Sequence, residues 1–277
     1  MRESKVRLAS IDWRHDYRLW VELFLVVNFG GLVVDVYLAH SGNTFRRASE
    51  YIPVGFSAAA AAILIVGLWL KERWGFVAAW RNLGYVVGWL AVGLGLAGVV
   101  LHLDSQFFYE RTIRSLTYAA PFAAPLAFTG LGLLVIVNRM VDSRTIEWAQ
   151  WVLLLALGGF VGNFVFSLTD HATNGFFRAI EWLPVASSAF AVSFLLAVFL
   201  TRVERRFLAL CTLVLGVQAI VGAAGFAFHG LADLRQPGVT LFERLVTGAP
   251  PFAPLLFPNL ALLGVIALWA WRSHALK

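Results

Sequence analysis

Eight apolar runs dominate this chain, at roughly 20–39, 53–70, 83–102, 121–138, 150–169, 184–201, 207–229 and 251–271. A membrane-spanning helix needs about 20 mostly apolar residues. In lipid, backbone polar groups must be satisfied within the segment, so continuous runs of this kind cross as helices. The expected fold class is therefore all-α: a polytopic integral membrane protein with eight transmembrane helices. Charge usage agrees. Only 14% of the residues are charged, against about 25% in soluble domains.

The net charge of +6 reads as topology rather than as nucleic-acid binding. With the N-terminus in the cytoplasm, the inner segments hold fifteen Lys and Arg and the outer segments seven. The positive-inside rule then places both termini in the cytoplasm, in a cell inner (plasma) membrane. Residues 1–19 interleave five arginines and lysines with apolar residues, as a short amphipathic segment lying on the cytoplasmic membrane surface would. The first run has no small-residue cleavage site after it, so it is expected to stay as a signal anchor. Trp20, Trp74, Trp80, Trp148, Trp151, Trp182, Trp269 and Trp271 fall near span ends, where interfacial anchors belong. Cys211, the only cysteine, reads as a small core hydrophobe.

The chain repeats itself. Residues 40–54 and 171–185 align without a gap, at an offset of 131, with eight of fifteen positions identical. The shared residues are His, Asn, Phe, Arg, Ala, Glu, Pro and Val. Residues 118–128 echo 248–257 with one residue missing. Two four-helix membrane repeats are expected, 20–140 and 147–272. Four spans per repeat make them parallel about an axis along the membrane normal. A weaker repeat runs inside each half. Every odd span ends in a histidine: His40, His102, His171 and His229. An arginine follows each (Arg47, Arg114, Arg178, Arg244), then a proline (Pro53, Pro121, Pro184, Pro251). Proline suits the first turn of a helix, so these four are expected to open the even spans.

Four histidines at one depth near the outer face suggest paired ligation. In an up-down-up-down bundle the first and third helices are diagonal partners. His40 would then face His102, and His171 would face His229, each pair suited to a b-type haem. Glycines on these spans would admit a flat macrocycle: Gly30, Gly31, Gly93, Gly95, Gly98, Gly158, Gly159, Gly162, Gly222 and Gly225. Arg47, Arg114, Arg178 and Arg244 would meet the propionates, because a guanidinium donates two parallel hydrogen bonds to a carboxylate. The leading expectation is a redox protein passing electrons, or oxidising a lipid-soluble substrate such as a quinone. In architecture alone the chain resembles the haem A synthases, which are eight-span proteins of two four-helix halves with four haem-level histidines. Their histidines sit on even spans within a Glu-x-x-x-His pattern. This chain has neither feature, so no residue role is carried over.

Other readings compete. Glu50 and Glu181 occupy equivalent positions, and Asp104, Asp170 and Asp233 lie within four residues of a histidine. Histidine with carboxylate suits non-haem iron, zinc or manganese, so His40, His102, His171 and His229 with Glu50 and Glu181 form an alternative metal set. Asp35 lies inside the first span, where a charge is costly and marks a proton or ion path; Phe166 stands at its position in the second half. That would make the chain a solute or ion transporter, with the path in the first half. An accessory subunit of a larger membrane complex is the remaining alternative. Asn163, Gln218 and Asn259 are expected to form interhelical hydrogen bonds.

Overall fold

The computed structural model describes residues 16–236 and 240–275, and these fold as helices joined by turns and loops. The amphipathic segment expected over 1–19 lies outside the described residues up to position 15. From Tyr17 the chain is already helical.

Two rings of helices follow one another. The first is built from α1 (Tyr17–Ser41), α2 (Tyr51–Trp74), α3 (Val77–Asp104) and α6 (Leu126–Met140). Each packs on the next, and α6 closes on α1. Two short helices, α4 (Phe107–Glu110) and α5 (Ile113–Tyr118), lie between α3 and α6. The second ring is α7 (Ile146–Thr173), α8 (Trp182–Leu200), α9 (Arg205–Leu234) and α11 (Leu256–Ala275), with α11 closing on α7. Its short helix is α10 (Leu241–Thr247). The rings meet through α6 on α7 and α1 on α11. The short helices cross over: α5 of the first ring packs on α7, and α10 of the second packs on α1.

Helix ends follow the local sequence. Asp16 caps α1 by accepting from the Leu19 N–H at 3.0 Å. Thr145 caps α7 from the Trp148 N–H at 3.3 Å. Gly75 ends α2 at φ +73°, a left-handed conformation open to glycine, with Lys71 and Arg73 in the preceding turn.

Among the described residues seven helices are long and apolar enough to cross a membrane, which makes this a multi-pass membrane protein. The run expected over 121–138 differs. Its helix, α6, begins only at Leu126 and has 15 residues, short of the about 20 that a crossing takes. Residues Pro121 to Pro125 form turns instead, and Pro125 is the N-cap. The helix openers in α6 and α11 are thus Pro125 and Pro254, not Pro121 and Pro251. In α2 and α8 the expected Pro53 and Pro184 do lie in the first turn.

Close approach through glycine joins α3 to α6 and α9 to α11. A Cβ on Gly98 would stand 2.7 Å from Pro125 Cβ, and one on Gly225 would stand 2.9 Å from Pro254 Cβ. On Gly95 and Gly222 it would meet the carbonyl oxygens of the same two prolines, at 2.8 and 2.5 Å. Four of the glycines expected to admit a macrocycle therefore admit a proline. Gly159 receives Leu260. Gly30, Gly31, Gly93, Gly158 and Gly162 face open space.

Three tryptophans expected at the interface are core residues instead. Trp80, Trp148 and Trp271 are buried, while Trp20, Trp74, Trp151, Trp182 and Trp269 are exposed. Trp80 and Trp148 belong to a polar cluster at the end of the first ring where α1 and α3 begin and α6 finishes. Arg139 on α6 pairs with Glu22 on α1, both side chains 1% exposed. Its Nη2 donates to Glu22 Oε2 at 3.0 Å and its Nε to the Trp80 carbonyl at 3.3 Å. The guanidinium carbon sits 3.9 Å from the centre of the Trp80 ring, within cation–π range. Asn138 donates to Glu22 at 2.9 Å and accepts from Trp148 Nε1 at 3.3 Å. The cluster ties α1, α3, α6 and α7 together.

Asn259 and Gln218 make the interhelical bonds expected of them. Asn259 exchanges amide hydrogen bonds with Asn28 across the two rings. Gln218 accepts from the Ser187 hydroxyl at 2.5 Å. Asn163 departs from expectation: it is buried and neither side-chain atom has a hydrogen-bond partner.

Candidate functional site

His40, His102 and His171 lie in the last turns of α1, α3 and α7, His229 lies a turn further back on α9, and all four are partly buried. His40 and His102 come together, with ring centroids 6.4 Å apart and planes at 76°. His171 and His229 both lie within electrostatic reach of Asp170. Three of the four rings are held by a hydrogen bond through Nδ1. His40 Nδ1 is 3.0 Å from the Val36 carbonyl, one turn back on its own helix. His102 Nδ1 is 2.9 Å from the Pro121 carbonyl, and His229 Nδ1 is 2.8 Å from the Pro250 carbonyl. His171 Nδ1 faces Glu181 Oε2 at 3.9 Å. A carbonyl only accepts, so a neutral imidazole donates from Nδ1 and keeps the lone pair on Nε2.

The loops after α1 and α7 have one geometry. The N–H groups of Asn43 and Phe45 both donate to the His40 carbonyl, and those of Asn174 and Phe176 to the His171 carbonyl. Left-handed backbone makes this possible: Thr44 and Phe45 have φ +56° and +47°, and Gly175 and Phe176 have +70° and +51°. The turn folds a phenylalanine back over the helix end. Phe45 lies 6.0 Å from the His40 ring and stacks on Tyr51 at 4.2 Å. Phe176 lies 6.1 Å from His171 and stacks on Trp182 at 3.9 Å. A 3-10 turn then brings in the glutamates, Ala48–Glu50 in one loop and Ala179–Glu181 in the other. In each, one buried carboxylate oxygen has no hydrogen-bond partner. Glu50 lies within electrostatic reach of His102.

This aromatic cover was visible only in part from the residues. Phe45 and Phe176 are among the identities of the repeat. Tyr51 and Trp182 count as a mismatch, yet they present the same flat surface.

The arginines behave less uniformly than their spacing suggests. Arg47, Arg114 and Arg178 are exposed. Arg114 lies 5.9 Å from the Tyr118 ring and Arg178 lies 5.4 Å from the Phe177 ring. Arg244 donates to the Leu234 carbonyl at 2.9 Å. Capping boxes open α5 with Thr112 and Ser115 and α10 with Thr240 and Glu243. In that register Arg114 lies opposite Phe242, not Arg244.

Asp233 has a local task. It is buried at the end of α9, and its Oδ1 accepts from the Ala249 N–H at 2.9 Å. Asp104 accepts a long hydrogen bond from Tyr109, at 3.5 Å. Asp35 is partly buried on α1. Its spacing of seven from Asn28 puts it on the stripe that faces α11. Among the described residues no three His, Cys, Asp or Glu side chains converge as a metal-holding group; His40 and His102 meet as a pair.

Glu243 lies outside the spans. The N–H and hydroxyl of Thr240 hold its carboxyl below the usual carboxylate range. A depressed folded-state pKa gives stabilisation that is present above the unfolded pKa and is lost as pH falls through the folded one. Acidification into that range is expected to open α10 first. Hydrogen exchange at 241–247 should rise there in the native protein. In Glu243→Gln the rise should be absent; an unchanged acid response in that variant would refute the assignment.

No protein-family model, curated protein or solved structure matches the chain.

Proposed function

We propose that this protein is an integral membrane redox protein that binds b-type haem through paired histidines near the outer face. The observation that carries this reading is the His40–His102 pair, 6.4 Å between ring centres with both Nδ1 atoms held by carbonyls. At this separation the two imidazoles would hold a metal group between them, at a metal–nitrogen distance of about 2 Å. Ligating histidines characteristically bond a carbonyl or carboxylate through the other nitrogen, which fixes the ring and its tautomer. His229 repeats the pattern with the Pro250 carbonyl, and His171 faces Glu181 at 3.9 Å. The meeting of His40 with His102 supports haem, which would take two donors from the protein. When bound, the haem supplies one-electron chemistry at a potential set by its ligands and surroundings. The protein's own residues hold it, cover it with Phe45 and Phe176, and direct arginines toward the outer surface. Oxidation of a lipid-soluble substrate such as a quinone, or electron transfer within a larger membrane complex, would use it.

The topology belongs to the same proposal. The rings are parallel four-helix repeats, α6 completes an eighth crossing, and both termini lie on the cytoplasmic side of a plasma membrane. The charge bias across the loops supports it, as does the matching of α6 on α7 by α1 on α11.

A second reading is a non-haem iron, zinc or manganese oxidoreductase. The buried carboxylate oxygens of Glu50 and Glu181, at equivalent positions and each without a hydrogen bond, favour it. The absorption spectrum of the purified protein separates the two. Haem gives a Soret band, and His102→Ala should remove the absorbance of one site while His229→Ala removes that of the other. A colourless protein with stoichiometric metal would transfer the proposal to the His and Glu set. Neither haem nor metal would refute both and leave transport through Asp35, or assembly, as the role.

A further inference from the structure

The two rings differ most inside. On α7 the residues Asn163, Ser167 and His171 are spaced four apart, so they form one stripe along the helix. Asn163 and Ser167 are buried. At the same positions of α1, 131 residues earlier, stand Leu32, Val36 and His40. Leu32 and Val36 pack against the hydrophobic core. The neighbouring helices change in the same sense. Ser187 on α8 and Gln218 on α9 are buried and bonded to each other. Their counterparts are Phe56, which packs edge-on to Phe29, and Ala91, which is fully buried. Four equivalent interior positions are thus apolar in the first ring and polar in the second.

Asn163 shows what the polar residues require. It is 3% exposed, and neither its Nδ2 nor its Oδ1 has a partner. A buried amide left unbonded is costly, and the usual remedy is an ordered water bonded to several such groups. The groups here are amides and hydroxyls that both donate and accept, which suits water better than an ion. At 1.5 Å rise per residue, Asn163 lies about 12 Å inward from His171, and Gln218 about 16 Å inward from His229.

We infer that the interior of the second ring carries a file of water from the outer ends of α7 and α9 to the middle of the membrane, and that the first ring is dry. Intramembrane polar files of this kind mark proton and ion paths. The path runs in the half that lacks Asp35, opposite to the half expected from that residue. It does not depend on what the histidines bind.

Thiol accessibility tests this. In the full-length Cys211→Ala protein in membranes, single cysteines replace Asn163, Ser167, Leu32 or Val36. A charged, water-soluble thiosulfonate is added from the outer side. The thiolate is the reactive form, a dry site raises the thiol pKa, and one unit of pKa is about tenfold in thiolate. Cysteines at 163 and 167 should therefore react roughly tenfold or more faster than those at 32 and 36. Equal rates in the two rings would overturn the proposal. Reaction at 167 but not at 163 would also overturn it, since the file would stop short of mid-membrane. Ser167→Cys exchanges one small side chain for another, so it keeps the comparison with Val36→Cys informative if Asn163→Cys does not fold.

Discussion

Replacing Arg139 with methionine is expected to destabilise the protein by roughly 3–5 kcal/mol, the usual cost of removing one partner from a buried ion pair. Glu22 would be left charged, 1% exposed, with Asn138 as its remaining donor. Arg139 also holds the Trp80 carbonyl and lies on the Trp80 ring, so the loss spreads to α3. Removing both charges is a different matter. A well-packed apolar pair in place of a buried ion pair is often neutral or stabilising. Glu22→Leu combined with Arg139→Met should therefore recover much of the single-variant loss. Denaturant or thermal unfolding in detergent, read as a double-mutant cycle, measures this. Additive losses would show that the two residues do not act as a pair. The effect also bears on topology. A helix as short as α6 is fixed at its C-terminal end by this cluster, so weakening the cluster should free α6 before the longer helices.

Gly222→Ala is expected to cost about 1–3 kcal/mol, the range for overpacking a well-packed core, whereas Gly93→Ala should be neutral or slightly stabilising. The added Cβ at 222 would meet backbone at 2.5 Å, at the Pro254 carbonyl, and cannot be relieved by a side-chain rotation. At 93 it meets nothing within 4 Å, and alanine is the better helix former. Gly95→Ala should follow Gly222→Ala, since its Cβ would stand 2.6 Å from the Thr129 nitrogen. Equal stability of the 222 and 93 variants would contradict proline-in-glycine packing as the contact that holds the last helix of each ring.

The helices were readable because lipid forces a simple rule on the sequence: long apolar runs become long helices. The rule failed at Pro121, where a run of adequate hydropathy carries a second proline at 125 and the intervening residues turn instead of winding. The histidines were readable as a set by their recurrence. What fixes them was not, because the partners are main-chain carbonyls of Val36, Pro121 and Pro250, and every residue has a carbonyl. The folded-back phenylalanines were hidden for a related reason. A left-handed phenylalanine is uncommon and has no sequence mark, although glycine at 175, in register with Thr44, was a hint. Arg139 was counted as a loop charge because Glu22 is 117 residues away. The contrast between Asn163 and Leu32 was present in the aligned repeat, but only burial shows that both point inward.

The crossing of the short helices has a consequence for how such a chain could be divided. A cut in the loop between Met140 and Ile146 separates the two rings at a place where few contacts would be expected to matter. Yet α5 would leave with the first fragment while its seat on α7 stays with the second, and α10 would leave α1 in the same way. Each fragment would carry the other's cover. Two copies of either fragment could satisfy both needs by exchanging these helices about a two-fold axis, each offering the same patch to the other.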